Sequence, residues 1–139
     1  MRTFDVQSIE LDAPPADAFR YLANPATLPE WTHAFKAADS RQATMSTPDG
    51  TVQVGLRVDA SEEHGTIDWT MTFPTGVVAK AHSRVTPHRG KSIYTFVLEA
   101  PPAPLEELEG ALAEQSRILA DELSRLAACL AKTVQGQLA

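Results

Sequence analysis

Residues 104–133 read PLEELEGALAEQSRILADELSRLAACLAKT, and in this stretch Leu105, Leu108, Leu112, Gln115, Leu119, Leu123, Leu126 and Leu130 recur every three or four positions. That spacing places one apolar stripe along a single helix face, with Glu, Arg and Lys on the other. A helix from Pro104 to about Thr133 is roughly 45 Å long at about 1.5 Å per residue. A small domain cannot bury a stripe of that length against the end of another element. It needs a broad, curved partner, and the rest of the chain has to supply it.

That partner is legible between about Phe35 and Glu99, where the apolar period changes from 3.6 to two. Val52, Val54, Leu56 and Val58 share one strand face, and Ile67, Trp69, Met71 and Phe73 share another. In the next strand Val77, Ala79, Ala81, Ser83 and Val85 alternate with Val78, Lys80, His82 and Arg84, so the charged set is assigned to solvent. Over Lys91 to Glu99, Tyr94, Phe96 and Leu98 are taken inward in preference to Ile93 and Val97. The turns between strands are Thr47-Pro48-Asp49-Gly50, Ser61 to Gly65, Phe73 to Gly76 and Pro87 to Gly90, each ending on a glycine able to take a positive φ. A first strand is expected over Thr3 to Leu11, with a bulge where the alternation slips between Val6 and Ile9. Asp12 is expected to cap a short helix carrying Ala18, Phe19 and Leu22, which Asn24-Pro25 ends, and a second short helix follows from Ala26 to Trp31. The expected class is α+β: a curved seven-stranded antiparallel sheet wrapped around a long C-terminal helix, with two short helices between the first and second strands, as one domain over residues 1–139.

Composition agrees with a globular domain. The chain has 139 residues, 43 % of them apolar and 22 % charged, long enough to bury roughly two-thirds of its unfolded surface. Its 18 acidic and 12 basic side chains give a formal charge of -6, and the basic residues are scattered, so no nucleic-acid partner is expected. No apolar run has the length of a signal peptide or a membrane span, and a cytoplasmic location is expected. Cys129, the single cysteine, lies on the apolar side of the helix and reads as a small buried hydrophobe.

The order strand, two short helices, six-stranded meander and long terminal helix resembles the helix-grip fold of the SRPBCC superfamily, which includes START domains, birch-pollen allergens and polyketide cyclases. The segment from Ala13 to Phe19, continued by Asn24-Pro25-Ala26-Thr27-Leu28-Pro29-Glu30-Trp31, looks like the helix pair of bacterial members. Gly65-Thr66-Ile67-Asp68-Trp69 fits the same pattern. The resemblance covers the whole chain and implies a pocket between sheet and helix. It does not choose among carriers, sensors, cyclases and dehydratases.

The residues assigned to that pocket follow from strand parity, helix phase and the convergence of their predicted positions. Trp31, Phe35, Trp69, Met71, Phe73, Tyr94 and Phe96 supply most of the large flat or soft side chains, with Val54, Leu56, Leu112, Gln115 and Leu119 beside them. His33, two residues after Trp31 in a segment that borders the pocket mouth in this fold, is the candidate for a polar contact or general acid/base. His64, His82 and His88 fall in turns or on the outer face, and the four histidines have no metal-ligand spacing, so neither a metal nor a cofactor is expected. Asp68 alternates outward beside Trp69, within reach of Arg84. The expected function is binding of a small hydrophobic or aromatic molecule, lipid-like or polyketide-like. The alternatives are a cyclase or dehydratase using His33, and an interaction module with no ligand that binds a partner through the exposed sheet edge or the end of the long helix; a homodimer is a separate candidate assembly.

Overall fold

The computed structural model describes residues 3–47, 50–99 and 105–138, with the side chains of residues 47, 105–112 and 134–138 outside that description. In chain order the elements are β1 (Phe4–Leu11), α1 (Pro15–Ala23), a single 3-10 turn (Pro25–Thr27), α2 (Leu28–Trp31), β2 (Phe35–Ala38), β3 (Gln42–Thr47), β4 (Gly50–Ser61), β5 (Thr66–Thr72), β6 (Val78–His88), β7 (Lys91–Glu99) and α3 (Leu105–Leu138). The seven strands form one curled antiparallel sheet in the order β1-β7-β6-β5-β4-β3-β2. β2 through β7 are thus a meander, and β1 returns to pair with β7. The 34-residue α3 is about 51 Å long at about 1.5 Å per residue, one turn beyond the length read from its stripe. Leu119, Leu123, Leu126 and Leu130 are each at most 3 % exposed and join one core with the concave sheet face. Each contributes about 1.5–3 kcal/mol by leaving water.

Strand parity follows the sequence reading in the meander except at Val77, which was assigned inward but precedes β6 and is 43 % exposed. Val54, Leu56, Ile67, Trp69, Ala81, Ser83, Val85, Tyr94 and Phe96 are buried, while Lys80 and Arg84 are exposed. The first strand departs from it. β1 pairs with β7 without interruption from Phe4↔Glu99 to Leu11↔Ser92, so no bulge rephases it. The inward set is Asp5, Gln7, Ile9 and Leu11, and Phe4 and Val6 face out at 49 % and 45 % exposure. Polar residues are tolerated inside because Ser116 of α3 meets them. Its hydroxyl donates to Asp5 Oδ2 (2.7 Å), and Gln7 Nε2 donates to Asp5 Oδ2 (2.8 Å) and the Ser116 carbonyl (2.7 Å). A hydrophobicity count reads such a pairing as a phase slip.

Smaller differences also have local causes. Asp12 does not cap α1. Pro14 is the N-cap, with no side-chain hydrogen bond, and Asp12 pairs instead with Lys91 (3.0 Å). Asn24 ends α1 and its Oδ1 then accepts from the Ala26 N–H (3.1 Å), starting the 3-10 turn. The β2–β3 turn, absent from the sequence reading, contains no glycine. Asp39 Oδ1 accepts the N–H groups of Arg41 (2.8 Å) and Gln42 (2.9 Å), which close the turn and hold its carboxyl below the usual range. Of the Thr47-Pro48-Asp49-Gly50 turn, Pro48 and Asp49 lie outside the described residues, as do Ala100 to Pro104. At the β4–β5 turn Gly65 has φ +71°, and a Cβ there would stand 2.3 Å from the Val85 carbonyl oxygen, so glycine is required twice over.

Candidate functional site

Curling leaves a space at one end of the grip. At the other end α1 is tucked against β6 and β7, and the buried Ser92 hydroxyl donates to the Ala13 carbonyl (2.8 Å), closing it. At the open end a cavity of about 690 Å³ remains. Its wall on the sheet side is Trp69 and Met71 of β5, Ala81 of β6, Phe96 and Leu98 of β7, and Ser46 of β3. α3 supplies Glu114, Gln115, Ile118, Leu119 and Glu122, and the α2–β2 segment supplies Leu28 and Trp31 through Phe35. Trp69 and Phe96 lie 5.7 Å apart between ring centroids, tilted by 31°, an aromatic pair in contact.

The cavity thus brings together eight of the residues assigned to it from sequence: Trp31, His33, Phe35, Trp69, Met71, Phe96, Gln115 and Leu119. It does not include Val54, Leu56, Phe73 or Tyr94. Val54 and Leu56 are 2 % and 4 % exposed, covered by neighbouring core side chains, and Phe73 is only partly buried against that core. Tyr94 is fully buried two residues nearer the closed end of β7 than Phe96. Burial pushes its phenol well above the usual range. Ser83 softens that shift, but the Ser83 hydroxyl proton is committed to the Ile67 carbonyl (2.7 Å). The surroundings of Leu112 lie outside the described residues.

The mouth carries groups that the strands do not supply. His33 Nε2 is 2.6 Å from Asp121 Oδ2, and the His33 backbone N–H donates to Glu122 Oε2 (2.8 Å). Asp121, an acceptor, selects the tautomer with hydrogen on Nε2, and no hydrogen bond among the described residues engages Nδ1. The pair is 42 % and 60 % exposed, so it contributes under about 1 kcal/mol to stability and acts mainly by fixing the ring. Glu122 is deeper. Its burial raises the carboxyl above the usual range, opposed by the His33 N–H and by the charges of His33 and Arg125, and aided by Asp121. Sequence reasoning found His33 without a carboxylate and missed Glu122. The available signal was its position seven residues after Gln115, two turns on along the same helix face.

Two contacts hold α3 in the rotation that aims Gln115 and Glu122 at the cavity. One is the Asp5–Gln7–Ser116 cluster on β1. The other lies by α2, where the Cys129 thiol donates to the Glu30 carbonyl (3.5 Å); Glu30 is itself tied to α1 by Tyr21 Oη, which donates to its Oε1 (3.2 Å). The remaining histidines are on the surface: His64 by Ser61 (3.0 Å), His88 by Glu10 (3.7 Å), and His82 between Asp68 (3.3 Å) and Glu99 (3.7 Å). Asp68 therefore pairs with His82, its direct cross-strand neighbour, where the sequence reading had Arg84, which stands opposite Thr66. Among the described residues no three His, Cys, Asp or Glu side chains are placed to share a metal ion, and no helix is long and apolar enough to cross a membrane.

The family model for polyketide cyclase / dehydrase and lipid transport matches residues 4–131. The chain belongs to that family. The chain also superposes on solved structures across most of its length. With the protein XoxI from Bacillus cereus it shares 16 % identity and a TM-score of 0.71, covering 93 % of this chain and 96 % of that one. A START superfamily protein from Mycobacterium smegmatis gives 14 % identity and a TM-score of 0.67, covering 91 % and 98 %. The di-domain ARO/CYC protein StfQ of the steffimycin biosynthetic pathway gives 14 % identity and a TM-score of 0.69, covering 96 % of this chain and 52 % of that protein. At these identities the likeness is one of fold. Comparison with curated proteins gives no match.

Proposed function

We propose that this family member binds a small apolar or aromatic molecule, lipid-like or polyketide-like, in the cavity between sheet and α3. The observation that carries the reading is a space of about 690 Å³ walled by Trp31, Trp69, Met71, Phe96 and Leu119. That volume falls within the range of about 300–1,000 Å³ typical of small-molecule sites. Burial would supply the affinity, and the few polar groups at the mouth would orient the guest. A cavity of this size favours a ligand over a ligand-free interaction module, whose interior would be filled. The test is a thermal-shift screen against hydrophobic compounds. Binding compounds should raise Tm in proportion to ln(1 + [L]/Kd), and no shift across chemically varied apolar compounds would refute the reading.

A second reading is favoured by the His33–Asp121 pair standing next to Glu122. In a dehydration, His33 Nδ1 would take a proton from carbon, and the C–H electron pair would form the new double bond. The departing hydroxyl would leave as water with a proton from Glu122, whose raised carboxyl suits it to hold one. Under this reading His33→Ala abolishes turnover and leaves folding intact. Loss of binding by that variant, with no turnover in the parent, would place His33 in recognition alone.

A further inference from the structure

The polar groups of the cavity are unequal in what they offer a guest. The Thr32 hydroxyl donates to the Leu28 carbonyl (2.6 Å), and His33 Nε2 is engaged by Asp121. Glu114 is paired with Arg117. Glu122 Oε2 accepts from the His33 N–H, and no hydrogen bond among the described residues engages its Oε1. The half-buried Gln115 amide likewise has no hydrogen bond among them. No lysine or arginine belongs to the cavity wall as described. Arg117 is occupied with Glu114, and Arg125 lies one turn from Glu122 without joining the wall. Beside the Gln115 amide and the Ser46 hydroxyl, which can donate or accept, the guest therefore meets the acceptor oxygen of Glu122 at its polar end and aromatic faces along its body.

From this we infer a ligand class: flat aromatic molecules whose polar end donates a hydrogen bond, a phenolic hydroxyl or an amine, with carboxylates and phosphates disfavoured. This rests on the ligand-binding reading above. An anionic head would sit against Glu122 with no lysine or arginine in the wall to receive it and with the His33 ring already engaged by Asp121, whereas a hydroxyl or ammonium donates to Oε1 directly. Gln115 is about 10 Å from Glu122 along the helix, two turns at about 1.5 Å per residue. It serves either polarity and so does not offset the bias.

The test is equilibrium dialysis at pH 7.5 with four probes that share one ring system: naphthol, naphthylmethylamine, naphthoic acid and methylnaphthalene. Naphthol and the amine should bind at least tenfold more tightly than naphthoate, with methylnaphthalene between. Glu122→Gln should erase most of the amine's advantage over naphthoate and leave methylnaphthalene unchanged. Should that variant fold poorly, Glu122→Asp, which shortens the reach to the guest, should weaken the amine and spare methylnaphthalene. Naphthoate binding as tightly as naphthol, or an amine preference that survives Glu122→Gln, overturns the inference while the cavity reading stands. If no probe binds, methylnaphthalene included, the cavity reading falls and takes this inference with it.

Discussion

Replacing Ala81 by leucine distinguishes an open cavity from a packed core by the sign of one number. Ala81 lies on β6 between Trp69 and Leu98 on its neighbouring strands, and its side chain faces the cavity. Leucine adds three carbons. If they enter the space of about 690 Å³, they gain about 2.4 kcal/mol at about 0.8 kcal/mol per buried methylene, less about 0.5–1 kcal/mol for ordering the side chain. The net is a stabilisation of about 1.5 kcal/mol. In a filled interior the same change overpacks the core and destabilises it by about 1–3 kcal/mol. Urea unfolding followed by tryptophan fluorescence reads the difference as a shift of the midpoint at constant slope. The expected shift is upward, accompanied by weaker binding of every cavity ligand. A midpoint lowered by the equivalent of about 1 kcal/mol or more at that slope would show that the space is not available and refute the reasoning.

Other consequences follow from single contacts. Gly65→Ala, at φ +71° and with its Cβ aimed at the Val85 carbonyl, should cost more than about 2 kcal/mol in urea unfolding, because left-handed backbone alone costs about 1–2; a change below 1 would mean the turn relaxes freely. Ser116→Ala withdraws a donor from the buried Asp5 carboxyl and should cost about 1–3 kcal/mol, while Asp5→Asn combined with it should cost less than the two separately. Glu122→Gln should gain on the parent as pH rises. Burial raises the folded carboxyl above the ordinary value of 4.5, so below 4.5 both states hold the proton and there is no effect. Above it the unfolded chain releases the proton first, and the parent loses stability until pH passes the folded value. The difference in midpoint between variant and parent at pH 7.5 should exceed that at pH 4.5, and an equal or reversed difference would contradict the part-buried placement of Glu122.

Sequence periodicity captured the architecture because the signals were redundant. The stripe from Leu119 to Leu130 demanded a curved partner, and the meander offered two clean inward faces. It failed on β1, where Asp5 and Gln7 are inward for a reason located more than a hundred residues away, at Ser116. The same limit explains the site. Trp31, Trp69, Phe96 and Gln115 were legible from parity and helix phase, but Val54, Leu56, Phe73 and Tyr94 share that parity and do not reach the cavity. Parity gives the face of the sheet, not the distance along it, and the open end is set by where α1 packs. Asp121 and Glu122 were missed because a carboxylate on a helix flank reads as solvated until the α2–β2 segment is placed over it.

The most direct measurement of whether this cavity holds a molecule is native mass spectrometry of freshly purified protein, compared with the same sample denatured. A ligand-binding cavity predicts a folded ion heavier than the polypeptide by one small molecule, with the excess lost on denaturation and diminished in Ala81→Leu. A bare folded mass that stays bare after incubation with naphthol and methylnaphthalene would contradict it.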